Sequence, residues 1–429
     1  MDSNPYDLAH RPLSVVRAWS SYSGIVGFVG ALLFFPLLKL NRFISLEIFL
    51  ILCTTLPVLL INLLWDRVYL NPSTGLEWAT KKKFVWSRIF LKIFGIHVIW
   101  GIFAFCYWCF PEYNADFYHD FFKLALRVLP FLSVSSFFYI AFIDKHMTDP
   151  EDSLYDWALF LIGKANPKKY DVIVQYFLGW CVKGFFLPFI GGALLGNLAG
   201  LGEQRDLLVT GTFVDYVKFC MMFLFGLDVL YGTVGYLMTF RLLDTHIRST
   251  EPTFLGWSVA LVCYPPFNII WNAFAFHDDD IWYNFIPIVP LVAQMMWAGV
   301  VLVLVGIYVW ATVIFGLRFS NLTNRGIITN GPYRFFKHPA YLSKNLFWWL
   351  CAVPFVQTGG ISFGIKACIG LLLINFIYYL RGKTEERHLL HDPHYQQYTK
   401  WMEQHGVFYV VKRYIFSKYT KLIYEYKKL

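Results

Sequence analysis

Charged residues are scarce in this chain. Asp, Glu, Lys and Arg together make up 15% of its 429 residues, whereas soluble globular proteins have roughly a quarter. Hydrophobic residues reach 57%, aromatic residues 20%, and mean hydropathy is +0.49. This composition excludes a set of large soluble domains and predicts an integral membrane protein, with aromatic side chains facing lipid and the interfaces.

Polar loops lack cysteine. All eight cysteines lie inside apolar runs, at positions 53, 106, 109, 181, 220, 263, 351 and 368. Cys106 and Cys109 have the C-x-x-C spacing, but no βαβ pattern surrounds them. We therefore predict packing residues rather than a disulfide framework. No metal site is predicted either, because His277-Asp-Asp-Asp280 is more typical of a solvated outer loop than of a divalent cation site.

A signal sequence with a basic and then an apolar segment is also missing, since residues 1–12 are polar. The net charge is +9. In a membrane protein this excess is expected to face anionic headgroups. We therefore expect membrane lipids as partners and no nucleic acid.

The apolar runs predict an all-α, polytopic protein of about ten transmembrane helices, because a span needs about 20 mostly apolar residues. No strand is needed anywhere. The predicted spans are 23–40, 43–65, 89–110, 122–143, 176–200, 213–240, 254–276, 286–316, 342–357 and 361–380. The ninth is short, and Gln357-Thr-Gly-Gly360 predicts a tight turn that makes the last two spans a helical hairpin.

Basic loops alternate with acidic or weakly charged ones along the chain. Under the positive-inside rule, this pattern places both termini and the loop 317–341 in the cytoplasm. We expect the membrane to be a bacterial inner membrane or an endomembrane. Residues 381–429 leave the membrane, and the basic, aromatic segment 408–429 is interpreted as either a helix on the membrane surface or a solvated tail.

Two polar clusters mark the C-terminal part. The first is Gly331-Pro-Tyr-Arg-Phe-Phe-Lys-His-Pro-Ala-Tyr341. Pro339 disfavours helical geometry at His338, so we expect the imidazole at a bend. The second is Arg381-Gly-Lys-Thr-Glu-Glu386, where Arg381 and Glu385 share a helix face. Ionisable groups at membrane depth are costly unless they are used, and the hairpin returns both clusters to one side of the membrane.

These two motifs, with Tyr395-x-x-Tyr398 after them, resemble the isoprenylcysteine carboxyl methyltransferase and phospholipid methyltransferase superfamily of membrane enzymes that use S-adenosylmethionine (SAM). The resemblance covers about 290–405. The family usually has Arg-His-Pro, where this chain has Lys337-His338-Pro339. The charge is kept, but lysine lacks the planar fork of arginine.

The resemblance implies a SAM-dependent methyltransferase acting on a lipid-like or prenylated substrate. It implies a SAM pocket lined by Tyr333, His338, Pro339, Tyr341, Glu385 and Glu386. It makes Arg381, Glu385 and Glu386 the catalytic set, with Arg381 reaching the substrate or the SAM carboxylate.

Two other functions stay open at this stage: an NADPH-dependent membrane sterol or enoyl-lipid reductase, and a non-catalytic lipid transporter or scaffold. We divide the chain into 1–280, of unknown role, a methyltransferase-like core at 281–405 and a basic, aromatic tail at 406–429. Within the first region, Lys183 and Asp228 are a possible pair on a substrate path.

Overall fold

A computed structural model describes residues 10–38, 46–79, 82–204, 211–268, 282, 289–354 and 360–414. Within these ranges the protein is all-α, as predicted. The expectation that no strand occurs is wrong at one place. Strands β1 (Ser249–Thr250) and β2 (Thr323–Asn324) form a short antiparallel ladder. Each strand has only two residues, and so short a pairing shows no alternation of apolar and polar residues in the sequence.

The chain divides into two compact units. The larger unit comprises Trp19–Ala260 and Phe315–Gly326, and the smaller unit comprises Met1–Ala18, Leu261–Ile314 and Ile327–Leu429. The predicted division at residues 280/281 and 405/406 stays a prediction.

The larger unit contains most of the helices described. They are α1 (Ala18–Leu38), α2 (Leu46–Leu60), α3 (Trp86–Cys109), α4 (Asp116–His146), α5 (Ser153–Leu161), α6 (Tyr170–Gln204), α7 (Phe213–Leu237) and α8 (Phe254–Leu261). Local chemistry sets several of their ends. Thr212 and Asp215 form a capping box at the start of α7, and Asp152 caps α5 by accepting from the backbone of Tyr155.

The smaller unit contains the hairpin and the C-terminal helices. Its helices are α9 (Leu291–Val313), α10 (Pro339–Ala352), α11 (Ile361–Leu389) and α12 (Pro393–His405). Residues 407–414 form one more short helix. Trp297 of α9 donates its indole N–H to the carbonyl of Leu350 in α10 at 3.1 Å.

Six described helices are long and apolar enough to cross a membrane. They are Ile48–Trp65, Trp86–Cys109, Asp116–His146, Pro167–Leu201, Leu291–Val313 and Ile361–Leu389. They correspond to six of the ten predicted spans, so a multi-pass membrane protein is supported.

The other four predicted spans fare differently. The first is a shorter apolar helix, Ala18–Phe34. The span at 213–240 is helical as α7, which is not among the six. The ninth is short, as expected, because α10 ends at Ala352. Of 254–276, only the beginning is helical as α8, and residues 269–276 lie outside the described part. So do His277–Asp280 and positions 357–359 of the predicted tight turn.

Two polar residues inside the apolar helices of the larger unit have clear partners. His97 bonds Ser133 Oγ at 2.6 Å through Nε2. Lys183 donates to Thr239 Oγ1 at 2.6 Å and lies 4.2 Å from the ring centroid of Trp180. Hydrogen bonding lowers the cost of placing such groups at membrane depth. The pairing of Lys183 with Asp228 remains a prediction.

Buried charge anchors Phe315–Gly326 in the larger unit. Arg318 donates to Asp244 at 3.0 Å, and both side chains are nearly inaccessible to solvent. Burial alone would raise the pKa of Asp244, but Arg318 and hydrogen bonds from Asn71 and Ser73 bring it below its usual value. A carboxylate held this way needs its cationic partner, because an unpaired buried charge is strongly destabilising.

Arg325 in the same segment donates to backbone oxygens. It donates to the carbonyls of Thr245, Gly235, Phe319, Met238 and Leu317 at 2.6 to 3.0 Å. The five N–H donors of a guanidinium are thereby matched to five carbonyl bonds. These bonds attach the segment Phe315–Gly326 to the rest of the larger unit.

Candidate functional site

His338 lies where the first motif enters α10. Its backbone has φ −129° and ψ 64°, outside helical geometry, and Pro339 is the first residue of the helix. Proline is favoured at that position, where its missing N–H is not needed. The bend predicted at His338 is therefore confirmed, and it has a local cause.

The hairpin brings the two motifs together. His338 Nε2 lies 3.2 Å from Glu386 Oε1, and its Nδ1 lies 3.6 Å from Glu385 Oε2. Tyr341, one turn into α10, donates its hydroxyl to Glu385 Oε2 at 2.9 Å. One imidazole and one phenol from the start of α10 thus contact both carboxylates at the end of α11. The prediction that these clusters meet is confirmed.

Gly382 lies against the imidazole of His338. A Cβ at this position would lie 3.4 Å from His338 Cδ2 and 3.5 Å from Nε2, in van der Waals contact with the imidazole. A larger side chain would push the ring away. Glycine inside a helix costs about 1 kcal/mol relative to alanine, so its presence between Arg381 and Lys383 was a usable signal that the sequence analysis missed.

Two lysines flank Glu386. Lys337 Nζ lies 3.9 Å from Oε1, and Lys383 Nζ lies 3.5 Å from Oε2. Lys337 therefore contributes a point charge at this position, in keeping with the absence of an arginine fork. Because Lys383 is mostly exposed, its contact with the carboxylate is screened by water and contributes little to stability.

Arg381 is buried against aromatic rings. Its Cζ lies 5.2 Å from the ring centroid of Tyr341, 5.0 Å from Tyr378 and 5.8 Å from Tyr264. A guanidinium over ring faces gains cation–π attraction, and more of it where water is excluded. Tyr264 and Tyr378 were missed by the sequence analysis, since both lie in apolar runs outside the motifs.

The backbone of Tyr333 is hydrogen-bonded to α12. Its carbonyl accepts a hydrogen bond from the hydroxyl of Tyr398 at 2.6 Å. Burial, and then the negative charge of Glu385, raise the pKa of Tyr333 well above its usual value, so the phenol stays neutral at physiological pH. Gly331 before it has φ +58°, and a Cβ there would lie 2.8 Å from Ile314 Cγ1. Glycine is thus required at this turn.

Residues 11–16, here called the strap, complete the smaller unit. They bind the loop before Tyr333 and the start of α12. The hydrogen bonds are Val15 N to Ile327 O at 3.1 Å, Thr329 Oγ1 to Pro12 O at 2.7 Å, Asn330 Nδ2 to Val16 O at 2.7 Å and His394 Nε2 with Leu13 O at 2.6 Å. No pattern in residues 1–280 predicted this role, because backbone carbonyls of a short extended segment carry no sequence signature.

The assembled side chains have a defined chemistry. Glu385 and Glu386 are hydrogen-bond acceptors, His338 and Tyr341 stack with their centroids 5.4 Å apart, and Arg381 supplies a desolvated cation. Such a set can bind hydroxyl or amino groups, an aromatic base and a carboxylate at once.

Comparison with known protein families gives one match. A model of the isoprenylcysteine carboxyl methyltransferase (ICMT) family matches residues 289–391. The C-terminal part of this chain is an ICMT-family domain. ICMT is a family of SAM-dependent methyltransferases. The match covers about a quarter of the chain, contains both polar motifs and ends before α12. Searches of curated proteins and of solved structures found no significant match.

Proposed function

We propose that this protein is a membrane-embedded, SAM-dependent methyltransferase that acts on a lipid-like or prenylated substrate at the cytoplasmic face. One observation carries the proposal. Within the ICMT-family match, His338 and Tyr341 of α10 contact Glu386 and Glu385 of α11 at 3.2 and 2.9 Å. The site therefore lies between the two ends of the hairpin.

The residues present fit SAM. Carboxylates at Glu385 and Glu386 accept hydrogen bonds from ribose hydroxyls or an ammonium group. The stacked rings of His338 and Tyr341 offer an aromatic face of the kind an adenine packs against. Tyr333 and Pro339 complete the set proposed to line the cofactor pocket.

When bound, SAM supplies a methyl group on a positively charged sulfur. The work left to the protein is positioning, because methyl transfer is an in-line displacement that needs little acid–base chemistry. Tyr341 holds Glu385 through its hydroxyl, and His338 holds Glu386 through Nε2. Carboxylates fixed in this way do not have to reorient while charge shifts in the reaction. Their electrostatic stabilisation of the transition state is largest in a site from which water is excluded.

Arg381 is proposed to bind the carboxylate of the substrate or of the cofactor. Arg381 is only 6% exposed, and its guanidinium lies among three phenol rings. Charge-assisted hydrogen bonds strengthen as the local dielectric falls. A carboxylate entering beside these rings meets a cation that is already desolvated.

The larger unit is proposed to provide the path for a bulky apolar substrate, and the loop charges support cytoplasmic termini. Accessibility of single introduced cysteines on the two sides of sealed vesicles tests this orientation. Labelling of the loop 317–341 only from the side opposite the cytoplasm would overturn this orientation.

Ligand-induced thermal stabilisation tests the function. The purified protein in lipid nanodiscs should be stabilised by SAM and by its demethylated product, and Glu386→Gln should remove the shift. Glu403→Gln is the matched control, because it removes the same charge from an exposed site on α12. Stabilisation by NADPH alone would instead identify a reductase. Co-purifying lipid without any nucleotide response would identify a transporter or scaffold.

A further inference from the structure

The short helix 407–414 exposes an unusual mixture of side chains. Phe408, Val411 and Tyr414 are 62%, 47% and 66% exposed, and Lys412 and Arg413 lie between them in the chain. In water, this much exposed apolar surface on so short a helix is unfavourable. Together with the adjacent cations, it is the composition of a helix that lies in a membrane interface.

This helix is bound to the loop of the first motif. The backbone N–H of Val407 donates to the carbonyl of Phe335 at 3.0 Å, and the rings of Phe336 and Phe408 make an edge contact at 5.3 Å. The chain between Tyr333 and His338 is therefore held on one side by this helix and on the other by Tyr398 of α12.

Two further cations lie near the loop of the first motif. Arg334 is exposed, with its guanidinium 5.6 Å from the ring centroid of Phe335. Arg11 of the strap is close enough for Arg334 to lower its pKa, in addition to the larger effect of burial. Two guanidiniums near each other repel, and an anion between them would relieve this cost. We name Arg11, Arg334, Phe335 and residues 407–414 the basic–apolar face.

We propose that the basic–apolar face binds the headgroups of anionic lipids in the bilayer, with its aromatic side chains at the acyl boundary, and that this contact orders the loop from Tyr333 to His338. A lipid surface fits because the face combines exposed cations with exposed apolar groups. The face also follows α11 in the chain, and α11 is long and apolar enough to cross a membrane before it ends at Leu389. The role of that loop in cofactor binding rests on the proposed function, whereas the lipid contact itself does not.

The contact is measurable by hydrogen–deuterium exchange of the full-length protein in nanodiscs of phosphatidylcholine alone or with phosphatidylserine. Each cation near an anionic surface contributes about fivefold to the binding constant. We expect amides 408–414 to exchange at least about fivefold more slowly with phosphatidylserine present, and amides 333–338 to show the same slowing. The double variant Lys412→Gln with Arg413→Gln should weaken both effects, because it removes two of the four cations of the basic–apolar face.

The matched control is Lys164→Gln with Lys168→Gln, which removes two exposed charges from the larger unit. It should keep the response to phosphatidylserine. Equal exchange at 408–414 in both lipids, or loss of the response in the control, would overturn the lipid contact. If 408–414 is protected while 333–338 is unchanged, the coupling to the loop is wrong. A protein that shows the lipid response but no stabilisation by SAM would refute the proposed function alone.

Discussion

Replacing Tyr398 by phenylalanine should weaken cofactor binding, although Tyr398 is not among the residues proposed to line the cofactor pocket. Tyr398 is 2% exposed, and its hydroxyl donates to the Tyr333 carbonyl at 2.6 Å and lies 3.5 Å from the carbonyl of Phe336. The substitution removes only the donor and keeps the packing of the ring. It leaves the loop that contains Tyr333 and His338 less firmly attached to α12.

The magnitude is set by the chemistry of that bond. A buried hydrogen bond contributes roughly 0.5–1.5 kcal/mol net, and a carbonyl left without a donor costs about 1–3 kcal/mol. If the ordered conformation of the loop loses about 1.4 kcal/mol of stability, the apparent dissociation constant of SAM rises about tenfold. Isothermal titration calorimetry of SAM in nanodiscs measures this change directly.

Tyr395→Phe provides the control for Tyr398→Phe. The two rings are neighbours, 5.8 Å apart, in the same buried cluster. A general loosening of that cluster would affect both variants equally, whereas loss of the Tyr333 bond affects one. An unchanged dissociation constant in a Tyr398→Phe protein that melts cooperatively would refute the role given to α12.

Three further outcomes are expected. Gly382→Leu should displace the adjacent imidazole and abolish stabilisation by SAM, whereas Gly382→Ala should keep it, since one methyl group has room beside the ring; thermal shift measurements distinguish them. Asn330→Ala removes one hydrogen bond to the strap, worth about 1 kcal/mol, and should raise the SAM dissociation constant by less than about tenfold in calorimetry. The pKa of Asp244 is lower in the folded protein than in the unfolded chain, where it is about 3.9. The ionised carboxylate therefore stabilises the fold at pH values above the unfolded pKa, and this stabilisation is lost as pH falls through the folded pKa. Asp244→Asn should therefore melt at a lower temperature at neutral pH, and its melting temperature should depend less on pH below about pH 4.

The hairpin and the meeting of its two motifs could be predicted because each depends on local sequence. An apolar run, a turn signal and Pro339 after His338 determine a bend and a return of the chain. The carboxylates Glu385 and Glu386 then lie at the end of α11, on the side to which the chain returns.

Other parts of the site had no local signature. The strap contributes mainly backbone oxygens, which any sequence offers, and Tyr264 is one aromatic residue among many in an apolar run. Arg325 was visible only as a loop cation, yet its donors are all used inside the protein on carbonyls. Such contacts depend on the packing of distant segments, and periodicity within a single helix does not report on them.

The strap also constrains how the protein can be made and divided. Thr329 and Pro12 are hydrogen-bonded across 317 positions of the chain. At ordinary rates of synthesis, the strap leaves the ribosome about 15 to 60 s before its partner exists, and all the membrane helices of the larger unit are inserted in the interval. A recombinant fragment cut at the limits of the family match would begin at residue 289 and would expose Thr329 and Asn330 where the strap belongs. Adding residues 10–17 back as a separate peptide, or joining them ahead of residue 289 by a flexible linker, is the way to obtain a fragment with a complete loop.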